Sequence, residues 1–274
     1  ALFAASSSSG EQFEANIGGN VMSNRGVESL EGRINPTIIK NLKEFMKIDK
    51  LTRIQSKSLF PFLSKNNILV KSETGSGKTL SYVIPLIQLL FDHSLERPSK
   101  IQRSDGTFAL ILAPTRELCI QIERVVKQVS VSFPWIVSGT VMGGEKKKAE
   151  KERLRKGVTV LIATPGRLED HLKTTSAFKY DELRHVILDE ADRLLDLGFE
   201  RTIHTIFDIM TQKLKQPVQR VLISATLHAK IQKLATGIGL TNAVYIREDD
   251  ESDDDESGGS GGARGDKKDG DGDI

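Results

Sequence analysis

The sequence of 274 residues predicts an α/β fold with a mostly parallel, doubly wound sheet carrying helices on both faces. Three observations lead there. Seven short runs are almost wholly apolar: NILVKS (67–72), FALILA (108–113), VSGTVM (137–142), VTVLIA (158–163), HVILDE (185–190), QRVLIS (219–224) and AVYIRE (243–248). Such runs suit strands covered on both faces, as in a parallel sheet. Between them lie amphipathic stretches near 78–91, 116–129, 147–156, 166–174, 191–210 and 228–236 that read as helices. Strand–helix alternation of this kind implies right-handed crossovers. The third observation is size: about 250 foldable residues at 38% hydrophobic content fill the core of one large domain or two small ones.

Taken in order, residues 1–26 are rich in Ser, Gly and Asn and are expected to be disordered. The start has no basic leader and no initiator Met, so it reads as a fragment end and not as a signal peptide. The domain proper is expected over 27–247. Residues 36–48 (PTIIKNLKEFMKI) space Ile38, Ile39, Leu42, Phe45 and Met46 as one helical face, with Pro36 tolerated in the first turn. Residues 92–106 (DHSLERPSKIQRSDG) read as a long polar surface loop. Residues 248–274 hold twelve acids and three bases, a net −9, which leaves +11 on residues 1–247 out of a total of +2. The tail therefore reads as an acidic, Gly-rich tether or truncated linker, and the body as a partner for polyanions. A single cysteine, Cys119, excludes a disulfide scaffold, and its apolar helical setting reads as core. No run reaches the roughly 18 apolar residues of a membrane span. The five histidines show no metal-ligand spacing.

In a doubly wound sheet, ligands bind beyond the carboxyl ends of the strands, so the loops there are the ones to read. After the first core strand come Ser72, Glu73, Thr74, Gly75, Ser76, Gly77, Lys78 and Thr79, opening a helix. This is G-x-x-x-x-G-K-T with Ser72 in place of the first Gly. Gly75 and Gly77 let backbone N–H groups converge on phosphate, and the helix N-terminus adds positive dipole. Lys78 then reaches the β- and γ-phosphates of ATP, and the Thr79 hydroxyl ligates Mg²⁺. Such a loop needs an acid on a neighbouring strand. HVILDEAD offers Asp189 for Mg²⁺ and Glu190 to polarise the attacking water. Read alone, these acids are equally a favourable decoration of a helix N-terminus.

Three further strand ends suit phosphate. Pro114, Thr115 and Arg116 open one helix, and Thr164, Pro165, Gly166 and Arg167 open another. Each combines free N–H groups, a hydroxyl and a guanidinium. Gly143 and Gly144 admit a sugar–phosphate chain to the backbone with no Cβ in the way. Any one of these alone is a helix cap with a surface arginine; together they favour a nucleic-acid track. The charges of 146–156 read more simply as a solvated helix face with i,i+4 pairs Lys146–Glu150, Lys148–Glu152 and Glu152–Lys156. Gln55 within LTRIQSKSLF reads as a helix cap, and Ser224-Ala225-Thr226 as a strand end whose hydroxyls could bond the acids of the DEAD segment.

Gln55, GSGKT (75–79), PTREL (114–118), Gly143-Gly144, TPGR (164–167), Asp189-Glu190-Ala191-Asp192 and Ser224-Ala225-Thr226 follow one another in the order of the DEAD-box RNA helicases, which the chain resembles over roughly 27–247. The resemblance implies the first of two RecA-like domains of an ATP-dependent enzyme. It implies that Gln55 reads the adenine edge and that the loops at 114–116, 143–144 and 164–167 grip RNA backbone without regard to sequence. It also implies that Asp192, Ser224 and Thr226 couple hydrolysis to strand separation. Where the family carries a Pro stands Leu51, and Ser29 and Leu30 occupy the region of its adenine-stacking aromatic. The stretches S-x-TGSGKT, MGGEKKKAEKERLRKG and DEADRLLDLGFE resemble a nucleolar branch acting in large ribosomal subunit assembly, which implies a nucleolar or otherwise cytoplasmic monomer.

The family's second domain supplies arginine fingers, and no H-R-x-G-R-x-x-R-like segment occurs here. The isolated chain is expected to bind nucleotide weakly and to hydrolyse it poorly, since lacking such a finger loses about 10³–10⁵ in rate. Two other readings stay open: a P-loop enzyme of another class, such as a DNA helicase or small-molecule kinase, and a non-catalytic RNA- or protein-binding module.

Overall fold

In the computed structural model, residues 22–73 and 75–248 are described. The N-terminal segment up to 21, Thr74 of the phosphate loop and the acidic tail from 249 lie outside the described residues. Among the described residues, seven strands form one wholly parallel sheet: β3 (Ile68–Lys71), β4 (Ala109–Leu112), β5 (Ser138–Val141), β6 (Val160–Ala163), β7 (His185–Leu188), β8 (Gln219–Ser224) and β9 (Val244–Arg247). These are the seven apolar runs of the sequence. Their spatial order is β5-β6-β4-β7-β8-β3-β9, so the chain crosses from β3 to β4 over the places later filled by β7 and β8.

Both faces are covered, which is why the central runs are so largely apolar. On one face Ile111, Ile162, Ile187, Val221 and Ile223 pack with α1 (Pro36–Met46), α2 (Arg53–Leu63), α3 (Lys78–Glu96) and α4 (Arg116–Val129). On the other, Leu110, Leu112, Leu161, Val186, Leu188 and Leu222 pack with α6 (Pro165–Thr174), α7 (Ala191–Asp196), α8 (Glu200–Thr211) and α9 (Ala229–Gly237). Burying each such aliphatic side chain is worth about 1.5–3 kcal/mol.

Four expectations need correction. Residues 22–26, assigned to the disordered segment, form β1 (Met22–Gly26), antiparallel to β2 (Lys50–Thr52). Ser23 Oγ donates to the Leu51 carbonyl at 2.9 Å across this ribbon, a pairing no local pattern shows. The loop expected at 92–106 begins only after Glu96, because Ser94 is buried and its hydroxyl accepts from Ile101 N at 3.1 Å. The helix expected over 191–210 is two, broken at Gly198 (φ +79). Finally, Glu150 on α5 (Lys147–Lys156) is not part of a solvated face: it is 0% exposed. Glu152–Lys156 does form its i,i+4 pair, at 3.0 Å.

Candidate functional site

Every loop singled out from the sequence leaves the same edge of the sheet, and the strand order sorts them. The phosphate loop follows β3, Ser224-Ala225-Thr226 follows the adjacent β8, and Asp189-Glu190 follows β7 beside it. Thr115-Arg116 follows β4, Thr164–Arg167 follows β6, and Gly143-Gly144 follows β5.

In the phosphate loop Gly75 (φ +88) and Gly77 (φ +86) are left-handed, a conformation that glycine takes without strain. Gly77 is the N-cap of α3 and no side chain caps the helix. Its orphan N–H groups and dipole therefore face the loop. Serines brace the turn. Ser72 Oγ and Ser76 Oγ share a hydrogen bond, Ser76 Oγ donates to the Glu73 carbonyl at 2.9 Å, and Ser72 Oγ donates to Glu248 Oε2 at 3.1 Å. Lys78 is 8% exposed and its Nζ has no acceptor among the described residues. A buried ammonium without a partner is costly, so the geometry fits an incoming polyanion such as a nucleotide triphosphate.

Gln55 takes the capping role considered for it and adds a tie to the phosphate loop. With Thr52 it closes a capping box at the start of α2: Thr52 N donates to its Oε1 at 2.9 Å, and Gln55 N donates to Thr52 Oγ1 at 3.4 Å. Its Nε2 donates to the Gly77 carbonyl at 3.1 Å, so the amide ties α2 to the phosphate loop. The β1–β2 ribbon holds Thr52 and thereby Gln55. Ser29 is exposed and Leu30 lies in the core.

Asp189 is 2% exposed. Tyr82 Oη donates to its Oδ2 at 2.8 Å and Glu190 N to its Oδ1 at 2.9 Å. Burial raises the carboxyl above its ordinary pKa, while the Tyr82 hydroxyl and the Lys78 charge oppose that rise. Burial and the Asp189 charge lift the Tyr82 phenol well above its usual range, keeping it a neutral donor. Glu190 holds a left-handed backbone (φ +49) at the N-cap of α7, a strained conformation for a non-glycine residue. Thr79 is half-buried in the first turn of α3.

The coupling contact differs from expectation. The hydroxyls of Ser224 and Thr226 do not bond the acids of the DEAD segment; instead the backbone N–H of Ala225 donates to Asp192 Oδ2 at 3.2 Å. Ser224 Oγ accepts from Thr226 N at 3.4 Å, and its carbonyl accepts from Ser72 N at 3.1 Å. This strand end thus touches both the phosphate loop and the acids.

On the other half of the edge, Thr115 caps α4, accepting from Leu118 N at 3.2 Å, and Pro165 opens α6 behind Thr164. Gly143 (φ +75) and Gly144 (φ +78) are left-handed. A Cβ on Gly144 would stand 2.3 Å from the Arg116 guanidinium, and one on Gly143 3.5 Å from that of Arg167. The structure therefore gathers Arg116, Gly143, Gly144 and Arg167 into one patch, with Gly166 beside Phe199. Pro114 precedes the capping Thr115.

Two residues were missed. Tyr82 shows only as an apolar position of α3, and Glu150 only as a charge among lysines; no sequence signal marks either. Glu150 accepts from Met142 N at 3.2 Å and Gly143 N at 3.3 Å, forms an ion pair with Arg167 Nε at 3.2 Å, and meets His171 Nε2 at 3.0 Å.

Residues 52–234 match the family described as DEAD/DEAH box helicase. Among curated proteins, the chain is 46% identical over 220 residues to the ATP-dependent DNA helicase DDX31 of Dictyostelium discoideum, covering 79% of this chain and 24% of that protein. It is 43% identical to the probable ATP-dependent RNA helicase CG8611 of Drosophila melanogaster, covering 80% and 23%. It is 41% identical to the ATP-dependent RNA helicase dbp7 of Emericella nidulans, covering 79% and 30%. The chain thus spans less than a third of the length of these relatives. Among solved structures, the helicase Mss116 bound to single-stranded RNA and AMP-PNP superposes with a TM-score of 0.74 at 31% identity, over 82% of this chain and 46% of that one. A DEAD box protein from Methanococcus jannaschii superposes with 0.68 at 28% identity, over 80% and 55%.

Proposed function

Because this chain belongs to the DEAD/DEAH box helicase family, we propose that it is the ATP-binding half of an ATP-dependent RNA helicase, its first RecA-like domain. The observation that carries the proposal is the division of one sheet edge. An unpartnered Lys78, left-handed glycines and a buried Asp189 stand at β3, β8 and β7, and two arginines over a double glycine stand at β4, β6 and β5. The Asp192–Ala225 contact joins the β7 and β8 ends inside the first group, and β7 is the strand that adjoins β4 of the second.

In this reading the phosphate-loop N–H groups over Ser72–Thr79 and Lys78 hold the ATP phosphates, Ser72, Glu73 and Ser76 brace the loop, and Gln55 is assigned to the base. Thr79 and Asp189 would hold Mg²⁺, which supplies charge neutralisation across the β- and γ-phosphates. The donor set fits a hard cation: one hydroxyl and one carboxylate beside an anion-binding turn, with phosphate and water completing the shell. Glu190 orients the attacking water. RNA lies along Pro114–Arg116, Gly143-Gly144 and Thr164–Arg167 by its phosphates, so its binding is independent of sequence and weakens with salt. The Asp192–Ala225 contact passes the state of the nucleotide to the strand end. Arginine fingers come from a second RecA-like domain of a longer protein.

We also place that protein, a monomer, in ribosome biogenesis in the nucleolus, on the resemblance of its loops to that branch. Two relatives that are called DNA helicases favour a second reading, in which DNA is the polymer. ATP turnover by the full-length protein decides between them. Stimulation by single-stranded RNA and not by duplex DNA is expected; equal or greater stimulation by DNA favours the second reading.

A further inference from the structure

Glu150 is an unusual acid for a helix as charged as α5. It is 0% exposed, and donors surround it on all sides. Oε1 accepts from the backbone N–H groups of Met142 (3.2 Å) and Gly143 (3.3 Å). Oε2 forms an ion pair with Arg167 Nε (3.2 Å) and meets His171 Nε2 (3.0 Å). A carboxylate offers about four lone-pair positions, and here four donors stand before them. His171 is itself fully buried, and its Nδ1 meets Thr175 Oγ1 at 2.9 Å. A hydroxyl hydrogen given to Nδ1 leaves the proton on Nε2, facing Glu150. Arg167 is the cation paired with the buried charge, and two lysines of α5 are engaged elsewhere: Lys147 bonds Asp170 at 2.6 Å and Lys156 bonds Glu152.

This arrangement joins two loops on different strands through one carboxylate. The Gly143 backbone follows β5 and the Arg167 guanidinium follows β6. Glu150 holds the first by its N–H and pairs with the second at Nε; Asp170, already held by Lys147, lies 3.7 Å from Nη1. A guanidinium paired with Glu150 at Nε, with only a 3.7 Å contact from Nη1 to Asp170 and with Nη2 beside Gly143, is placed for a forked phosphate contact.

We infer that Glu150, held by His171, is a positioning residue for RNA: it presets the Arg167 fork against the Gly143-Gly144 backbone so that one phosphate meets both. The inference rests on the RNA-binding reading of these loops. Preorganisation gains affinity by sparing the ordering of a long side chain on binding.

The test is anisotropy of a short labelled oligouridine at low salt, on this chain and its Glu150→Gln, Arg167→Ala and double variants, with fluorescent-nucleotide affinity measured on each. Glu150→Gln keeps the volume but turns one acceptor into a donor facing donors. It is expected to weaken RNA binding about tenfold, and to add almost nothing once Arg167 is Ala. Nucleotide affinity, set at β3 across the sheet, is expected to stay the same. RNA binding at wild-type strength in Glu150→Gln overturns the inference. So does an undiminished loss in the Arg167→Ala background, which would show that Glu150 does not act through Arg167. Should Glu150→Gln lose nucleotide binding, and so its fold, Arg167→Lys decides: it keeps the charge without the Nε anchor, and wild-type affinity there overturns the inference. An Arg167→Ala variant that binds RNA normally removes the RNA-binding reading of the loop itself, a different result from failure of Glu150→Gln alone.

Discussion

Tyr82→Phe removes one hydroxyl from the buried floor of the nucleotide site and leaves the ring in place. In the native chain that hydroxyl donates to Asp189 Oδ2 at 2.8 Å, while Glu190 N serves the other oxygen. A hydrogen bond to a charged group is worth about 1.5–3 kcal/mol net. Losing it disfavours the ionised carboxylate by about ten- to hundredfold relative to the protonated one. Burial already holds the Asp189 pKa above the ordinary carboxylate value, and the Tyr82 bond is the largest influence opposing that rise. The variant should therefore titrate at still higher pH. A metal needs the ionised form. Affinity for Mg·ATP should fall as pH drops through the Asp189 transition, and in Tyr82→Phe this fall should begin at higher pH. Nucleotide binding without Mg²⁺ should be nearly unaffected. Stability follows the same linkage. An acid whose folded pKa is raised contributes stability below its unfolded pKa and loses it as pH rises through the folded value. The variant should thus be destabilised most near neutrality and least in acid. Titration of a fluorescent ATP analogue with and without Mg²⁺ across the mildly acidic range, beside denaturant unfolding, reads both. An unchanged acid limb, or one moved to lower pH, would refute the assignment of Asp189 as a metal ligand supported by Tyr82.

Other outcomes follow from the same geometry. Arg116→Ala should remove one phosphate contact and lower the slope of log affinity for single-stranded RNA against log salt by about 0.7; an unchanged slope in an RNA titration would exclude that contact. Gly144→Ala places a Cβ 2.3 Å from the Arg116 guanidinium on a backbone at φ +78. It should cost about 1–2 kcal/mol in thermal unfolding and also weaken RNA binding, whereas wild-type values in both would show that this loop tolerates a side chain. Burial pushes the Cys119 thiol up to about 12, so iodoacetamide in mildly alkaline buffer should leave the folded chain unmodified by mass and label it only after unfolding.

What could be read from the chain, and what could not, divides along physical lines. The strands of a doubly covered parallel sheet are largely apolar, so β3 to β9 announce themselves, and the fold class then directs attention to the loops at their carboxyl ends. Gly75, Gly77, Gly143 and Gly144 were legible as places where backbone comes close to a ligand, and all four hold positive φ, which glycine takes cheaply. Long-range polar contacts were not legible. Glu150 sits among lysines at helical spacing, and only the approach of Met142, Gly143, Arg167 and His171 from other elements shows it to be buried. Tyr82 looks like core until Asp189, far along the chain, turns out to be its partner. The β1–β2 ribbon lacks an apolar pattern because it is short and half-exposed, and the Asp192 contact uses a backbone N–H that no side-chain motif encodes.

The central claim is that Glu190 drives hydrolysis in a site that Lys78 and Asp189 build, with RNA setting the rate. Glu190→Gln in the full-length protein tests it most directly, by measuring Mg·ATP affinity and RNA-stimulated phosphate release on the same preparation. Retained nucleotide affinity with turnover abolished is the predicted result; phosphate release at the wild-type rate would contradict it.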